Sequence, residues 1–459
     1  MAMFGTNGIR EVVGKTLTVR FVSDIASAVA FVHSGMGPAV VGTDARTSSP
    51  ALGRVAAGAL AMGGIDVIEV GVLPTPAVQY NVKALGAAFG LIVTASHNPP
   101  EFNGVKGIAG DGLEFTRATE RAIEEAYAAG RFVAKGYQEI GALSTDGLAI
   151  KRYVDGVLSR VDVEAIRARK FRVVLDCGNG ASTGTSPVLL QRMGTRYTTL
   201  NGNPDGTFPG HNSEPTEENL QGLVQHMRAM PADLGVAHDG DADRAVFIDE
   251  KGRFVPGEKI FTLMARETVR QHGGGVVVTP VTSSDAVAEA IAPFGGRVRF
   301  TRVGSPVVSR AMQEDKGVFG GEENGGLIFA DHQLARDGAM SLAAVLDVLA
   351  RTQKPLSELI AELPPYHLVK RKVPCPVELR EKVLAEVPSM MDRGQATEIT
   401  TLDGVKVRTS EGWVLVRPSG TEPIYRIFAE SRDRKKAEGL ADSMTKSVND
   451  LVRSLSARS

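Results

Sequence analysis

The chain has 459 residues, 43% of them hydrophobic, which is too long for one hydrophobic core and calls for about three or four domains. Its 52 Lys and Arg against 53 Asp and Glu leave a net charge of -1, which argues against nucleic acid or a membrane surface as a partner. The two cysteines, Cys177 and Cys375, lie far apart without metal-ligand spacing, so they read as core or strand-end residues in a reducing compartment and exclude a disulfide scaffold. The N-terminus lacks a basic segment backed by an apolar one, and the longest apolar run, Ala84 to Ala95, is too short to span a bilayer; a cytoplasmic location is expected.

In chain order, Phe4-Gly5-Thr6-Asn7-Gly8-Ile9-Arg10 is a glycine-punctuated turn ending in arginine. Ala39 to Asp44 reads as a strand, Ala45 to Pro50 as a polar turn, Leu52 to Met62 as a small-residue helix, and Ile65 to Val70 as the next strand. Strand, turn, helix and strand make one βαβ unit, which implies a parallel sheet. The unit recurs where Arg172 to Asp176 leads through Cys177 to Ser182 into Pro187 to Leu190, and where Gly275 to Thr279 leads through Pro280 to Ser284 into Val287 to Ile291. Three related α/β domains in tandem are expected, with mixed, largely parallel sheets. Their glycine and Ser/Thr turns place free backbone N–H groups at the carboxyl edge of each sheet, where α/β proteins bind ligands. Leu363-Pro364-Pro365-Tyr366 resists both helix and strand and reads as a linker. Beyond it, Gly404 to Thr409 and Trp413 to Arg417 read as a hairpin and Tyr425 to Glu430 as a further strand. Leu440, Met444, Val448, Leu451 and Leu455 fall at helical spacing, so the last segment is an antiparallel α+β domain closed by an amphipathic helix. The expected domains are 1–150, 151–253, 254–364 and 365–459.

Four stretches carry chemistry. In Gly90 to Pro100 an apolar run suited to a buried strand ends in Ser96-His97-Asn98-Pro99-Pro100, and the prolines forbid a continuing strand or helix, so Ser96 should sit at a rigid strand end facing a cleft. In Asp239-Gly240-Asp241-Ala242-Asp243-Arg244, alternate positions project to one side, so Asp239, Asp241 and Asp243 can converge on one hard cation, with Mg²⁺ favoured. A calcium EF-hand fails because Arg244 stands at the sixth position, where the turn needs glycine, and because the flanks read as strands, although Glu250 fits the twelfth. Gly320-Gly321-Glu322-Glu323-Asn324-Gly325-Gly326 sets carboxylate and amide groups among glycines, a composition suited to vicinal sugar hydroxyls and also to a simple connector. Arg417-Pro418-Ser419-Gly420-Thr421-Glu422-Pro423 offers an arginine, two hydroxyls and an accessible N–H, a composition suited to a phosphate cradle, with Arg426 close enough to add charge, and equally to an ordinary turn.

These four motifs, in this order and spacing, resemble the α-D-phosphohexomutase superfamily over essentially the whole chain. The resemblance implies a heart-shaped, four-domain enzyme that moves phosphate between the 6- and 1-hydroxyls of a hexose through a phosphoserine, Mg²⁺ and a 1,6-bisphosphate intermediate. On it, Ser96 matches the phosphorylated serine, whose phosphate also meets the metal, and Asp239, Asp241 and Asp243 match the metal ligands. Glu322 and Asn324 fall at the sugar contacts, where many members have Ser at the second position. Arg417, Ser419, Gly420 and Thr421 match the loop for the phosphate that is not transferred, and Lys106 matches a lysine beside the serine, a candidate acid/base or charge support. Arg10 and Arg46 occupy active-site arginine positions, and Arg244 follows the metal loop as it does there. His97 and Asn98 are expected to hold the serine loop and contact its phosphate; no acid partner supports His97 as the base of a hydrolase triad. Arg302-Val303-Gly304-Ser305 is expected to form the substrate-facing loop, with Arg302 and Gly304 near the sugar.

The opening turn and the Glu322-Glu323-Asn324-Gly325-Gly326 form resemble archaeal members described as phosphoglucosamine mutase or phosphomannomutase/phosphoglucomutase. Glucosamine 6-phosphate to glucosamine 1-phosphate is the favoured conversion, mannose or glucose phosphate the alternative, and a phosphosugar-binding protein without turnover the alternative of another class. Reorientation of a bisphosphate predicts closure of the fourth domain about the Leu363 to Tyr366 linker. A homo-oligomer is left open.

Overall fold

Four β-sheets follow one another along the chain in the computed structural model, which describes residues 3–5, 7–391, 396–419 and 422–457. The first comprises β1 (Ile9–Val12), β2 (Ala39–Thr43), β3 (Val67–Val72), β4 (Phe89–Val93), β5 (Phe102–Ala109) and β6 (Leu143–Thr145), in spatial order β1-β5-β4-β2-β3-β6. β4, β2, β3 and β6 are parallel, and β5 runs antiparallel to both β4 and β1. Every residue of β2 and β4 is buried, as continuous apolar runs with both faces covered require. The second sheet comprises β7 (Arg172–Asp176), β8 (Arg196–Leu200), β9 (Leu234–His238), β10 (Ala245–Ile248) and β11 (Phe254–Val255), with β8-β7-β9 parallel and β9-β10-β11 antiparallel. In the third, β12 (Gly275–Pro280) lies parallel between β13 (Gly296–Thr301) and β14 (Phe319–Gly321), and β15 (Leu327–Phe329) closes antiparallel. The fourth is wholly antiparallel, in order β16-β20-β19-β18-β17, from β16 (His367–Pro374), β17 (Glu398–Thr400), β18 (Val405–Thr409), β19 (Gly412–Pro418) and β20 (Ile424–Ser431).

Local chemistry shifts several boundaries from the sequence expectation. The helix expected from Leu52 begins at Ser49, because Pro50 fits a first turn in which its missing N–H costs nothing. β3 begins two residues late because the Ile65 N–H bonds back to the Leu60 carbonyl (3.1 Å) at that helix's end. The short strands β6 and β17 carry no alternation that sequence could reveal. In the last helix, Arg434–Ser456, the buried stripe is Ala437, Ala441, Met444, Val448 and Val452, while Leu440, Leu451 and Leu455 only flank it. The small alanines let the helix approach the sheet closely, which moves the seam off the leucines.

One apolar core runs through the first three domains, joining Val40, Leu175, Phe247, Val277 and Leu346, and a second fills the other face of the first sheet around Val29, Val41, Leu60 and Phe89. The fourth domain has its own core, with Val373, Val407, Val416, Ile427 and Val448. It meets the third over a small patch of Val281, Trp413, Leu415 and Phe428. Cys177 and Cys375 are buried free thiols. Among the described residues no helix is long and apolar enough to cross a membrane.

Candidate active site

The carboxyl ends of β4, β9 and β14 converge, and their loops build the site. β4 stops at Val93, and Ser96 takes φ 53°, a left-handed conformation costly for a residue with a side chain. Two devices hold it there. Thr94 Oγ1 accepts the Ser96 N–H (2.9 Å) and donates to Asp44 Oδ2 (2.6 Å). Beneath the loop, the fully buried Arg46 spends every guanidinium N–H: Nε on Asp44 (3.1 Å), Nη1 on the carbonyls of Pro99 (2.7 Å) and Phe102 (2.9 Å), and Nη2 on those of Ser96 (2.8 Å) and Asn98 (2.6 Å). Its plane is covered by the Phe208 ring, 5.1 Å away. Arg46, expected at an active-site arginine position, therefore shapes the serine loop from below and has no guanidinium donor left over.

The acidic loop lies between β9 and β10, with Ala242 also left-handed at φ 53°. Gly240 lets it rest on the serine turn, since a Cβ there would lie 2.6 Å from the Ser96 carbonyl oxygen. Asp239, Asp241 and Asp243 are buried, and one ligand oxygen of each lies within 4.8 Å of the others. Ser96 Oγ donates to Asp239 Oδ2 at 3.3 Å. Lys106, on β5, sets Nζ 2.7 Å from Asp241 Oδ2 and 4.0 Å from Asp243 Oδ2. Thr75 donates its hydroxyl to Asp241 Oδ2 (2.6 Å) and its N–H to the Asp241 carbonyl (2.9 Å). Among the described residues, Oδ1 of Asp241 and Oδ1 of Asp243 are buried without a hydrogen-bond partner. Unsatisfied buried carboxylate oxygens in so close a triad suit a small, hard cation.

The electrostatics point the same way. Burial, then Asp243 and Asp241, raise the Asp239 carboxyl well above its ordinary range. Burial also works to raise Asp241, but Lys106, Thr75 and Arg10 outweigh it and hold that group below the usual carboxylate range. Burial, then Arg244 and Arg10, push His97 down to about 2. Its Nδ1 accepts from Arg244 Nη2 (3.3 Å) and lies 3.2 Å from Ser96 Oγ. So weak a base is ill suited to take a proton from serine near neutral pH. Arg10, on β1, donates to Asn98 Oδ1 (2.8 Å), and the Asn98 carbonyl also accepts from Ser213 Oγ (3.0 Å). Arg244 Nε lies 3.8 Å from carboxylate oxygens of both Asp239 and Asp243.

Glu322 joins this cluster through Arg336, a residue sequence reasoning missed. Arg336 donates to Glu322 Oε2 (3.0 Å) and to Asp243, and these two acids, with Glu114 and Asp239, outweigh burial to hold its guanidinium more basic than usual. Glu322 Oε1 accepts the Gly304 N–H (3.1 Å). Asn324 turns its amide inward, donating to Glu322 (3.5 Å) and accepting the Gly326 N–H (3.2 Å), so it shapes its own loop. Ser305 opens the helix Ser305–Asp315, which shortens the loop expected over Arg302–Ser305 to Arg302–Gly304. Arg302 is exposed and donates Nε to the Leu402 carbonyl (3.2 Å) of the fourth domain. Arg417 and Arg426 face each other across β19 and β20. Arg417 pairs with Asp403 (3.2 Å) and Arg426 with Glu422 (2.6 Å), and Ser419 Oγ accepts the Glu422 N–H (3.2 Å). Gly420 and Thr421 lie outside the described residues. Thr75 and Glu114 were missed like Arg336, because none of the three stands in a glycine-rich or alternating pattern.

Four tandem domains that bring a serine turn, an acidic triad and a shell of cations into one buried cluster are the make-up of a phosphoryl-transfer enzyme. The chain belongs to the phosphoglucomutase/phosphomannomutase family, matching its alpha/beta/alpha domains I, II and III at residues 1–134, 151–252 and 256–366 and its C-terminal domain at 368–447. It is thereby a sugar-phosphate mutase of the phosphohexomutase kind. It is 42% identical to a "Phosphoglucomutase/phosphomannomutase" of Thermococcus kodakarensis, over 95% of this chain and 96% of that one. It is 40% identical to a "Probable phosphoglucosamine mutase" of Methanopyrus kandleri, over 98% and 97%. A crystal structure of a phosphoglucomutase/phosphomannomutase family protein from Burkholderia thailandensis superimposes with a TM-score of 0.88 at 26% identity, covering 98% of this chain and 97% of that one.

Proposed function

We propose that this protein interconverts glucosamine 6-phosphate and glucosamine 1-phosphate, with Ser96 as the phosphoryl carrier. The observation that carries the reading is Ser96 Oγ at 3.3 Å from Asp239, in an acidic triad that Lys106 and Arg244 neutralise. The seryl phosphate passes to the free sugar hydroxyl, giving a hexose 1,6-bisphosphate; the sugar turns around, and Ser96 takes the phosphoryl group back from the other end. Asp239, Asp241 and Asp243 would hold Mg²⁺, a fit supported by the unpartnered oxygens of Asp241 and Asp243. When bound, Mg²⁺ neutralises phosphoryl oxygens during transfer. Lys106 supplies positive charge to the triad and exchanges a proton with the attacking or leaving hydroxyl; its contact with Asp241 supports the first role. Glu322 orients the sugar, while Arg417, Ser419, Gly420, Thr421 and Arg426 retain the phosphate that stays on it. The buried Nε of Arg417 has no partner among the described residues, which suits an anion site.

The test is intact-protein mass of Ser96 as purified, followed by Ser96→Ala in a coupled assay; full mutase activity in that variant refutes the serine-phosphate route. The Thermococcus relative favours a second reading, turnover of mannose and glucose phosphates. Comparing kcat/KM for the 1-phosphates of glucosamine, N-acetylglucosamine, mannose and glucose decides between the two.

A further inference from the structure

Asp403 lies on the turn between β17 and β18, outside every motif discussed above. Its Oδ2 is shared. It pairs with Arg417 Nη2 at 3.2 Å and accepts the Val303 N–H at 2.9 Å, across the boundary between the third and fourth domains. The turn is held tight by Gly404, at φ +85°, where a Cβ would lie 2.4 Å from the Val416 carbonyl and 2.6 Å from the Arg417 side chain. One residue beyond Val303, the Gly304 N–H donates to Glu322, which Arg336 ties to Asp243. A chain of ion pairs and hydrogen bonds thus runs Arg417, Asp403, Val303–Gly304, Glu322, Arg336, Asp243.

We propose that Asp403 is a positioning residue that couples the two halves of substrate recognition, aiming Arg417 at the retained phosphate while fixing the Val303–Gly304 loop that orients Glu322. This rests on the reading of Arg417 as a phosphate anchor. Three facts of geometry support it. Arg417 directly faces Arg426 across two strands, a repulsive pairing that needs a carboxylate to orient one partner when no anion is bound. Asp403 supplies that carboxylate, and Arg417 keeps its unpartnered Nε for a ligand. Because one oxygen serves both the guanidinium and the Val303 N–H, the carboxylate that aims Arg417 is also one that docks the fourth domain on the third. Phosphate capture, docking and the set of Glu322 become one event.

The experiment compares Asp403→Asn, Asp403→Ala and Arg417→Ala, with glucosamine 6-phosphate as substrate and Trp413 emission as the monitor of docking. Trp413 is the chain's single tryptophan, buried at the boundary between the two domains with Lys406 Nζ 3.6 Å over its ring. Asp403→Asn keeps an acceptor for Val303 but loses the charge, so KM should rise about tenfold with kcat nearly unchanged. Asp403→Ala also frees the loop, so kcat should fall as well and the substrate-induced change in Trp413 emission should shrink. In the Arg417→Ala background, Asp403→Asn should add little to KM. If Arg417→Ala raises KM while Asp403→Asn and Asp403→Ala leave it at the wild-type value, Asp403 has no positioning role. A lowered melting temperature and kcat with unchanged KM would mark mere fold damage and equally overturn the proposal. An unchanged KM in Arg417→Ala would overturn the phosphate-anchor reading itself, and the proposal with it.

Discussion

Lys106 Nζ lies 2.7 Å from Asp241 Oδ2 with both side chains sealed from solvent, so the first domain builds its own cation into the acidic triad of the second. Lys106→Met removes that charge without changing the length of the side chain much. Breaking a buried pair costs about 3–5 kcal/mol, so the variant without metal should melt well below wild type. Mg²⁺ should then restore more stability to the variant than to wild type, because the triad has lost its resident cation. Activity should fall by about 10²-fold or more if Lys106 also moves a proton. Thermal melts with and without Mg²⁺, alongside kcat, test both halves; equal Mg²⁺ shifts in the two proteins would refute the electrostatic account.

Arg46→Lys tests whether the serine turn is held from below. Lysine keeps the charge but offers three donors on a flexible stem where the planar guanidinium places five, so carbonyls of the loop between Ser96 and Phe102 are left unsatisfied. Stability should drop by about 2–4 kcal/mol, and kcat should fall at least about tenfold while KM moves little, because Arg46 reaches no substrate. Urea midpoints and steady-state kinetics measure this. A KM effect larger than the kcat effect would instead make Arg46 a direct substrate contact.

What the sequence made legible follows from how local each signal is. β4, β9 and the serine and aspartate loops could be read because an apolar run ending in polar residues, and acids at every second position, are patterns within a few residues. Convergence of Asp239, Asp241 and Asp243 was readable for the same reason. Arg46 looked like any active-site arginine, and only its neighbours in space, the carbonyls of Ser96, Asn98, Pro99 and Phe102, reveal it as scaffold. Arg336 and Thr75 were invisible because their partners, Asp243 and Asp241, lie in another domain. The seam of the last helix was misplaced because a leucine count measures hydrophobicity, whereas close approach to a sheet selects Ala437 and Ala441.

Arg336→Met separates the metal and sugar functions. Arg336 bridges Asp243 and Glu322, so its loss takes positive charge from the triad and frees Glu322. The Mg²⁺ concentration for half-maximal activity should therefore fall, since removing a neighbouring cation raises the affinity for another. KM for the hexose phosphate should rise about tenfold or more as Glu322 loses its orientation. The opposed directions distinguish this from general damage, which would weaken both. Mg²⁺ and substrate titrations on the same preparation provide the check.

Lys406 makes stability depend on pH at the boundary between the third and fourth domains. It is buried, donates to the Val281 carbonyl (3.1 Å), and sits over Trp413 (3.6 Å) and Phe300 (5.4 Å). Burial lowers it from 10.5 to about 8; Arg408 adds to this, while Asp285, Glu430 and Glu398 act to raise it. Between about 8 and 10.5 the folded chain binds fewer protons at this site than the unfolded chain, so its contribution to stability rises with pH across that window and is flat below it. At about 1.4 kcal/mol per pH unit, the charged form costs the fold about 3 kcal/mol at pH 7. Lys406→Met removes the titration and keeps an apolar stem of similar length over the two rings. Its urea midpoint should exceed that of wild type at pH 7, by about 1–3 kcal/mol in stability once the lost cation–π contact is counted. The gap should close by pH 10, as wild-type Lys406 loses its proton and other groups titrate alike in both proteins. Midpoints at pH 7, 8, 9 and 10 measure the gap; parallel profiles for the two proteins would show that Lys406 keeps an ordinary affinity for its proton.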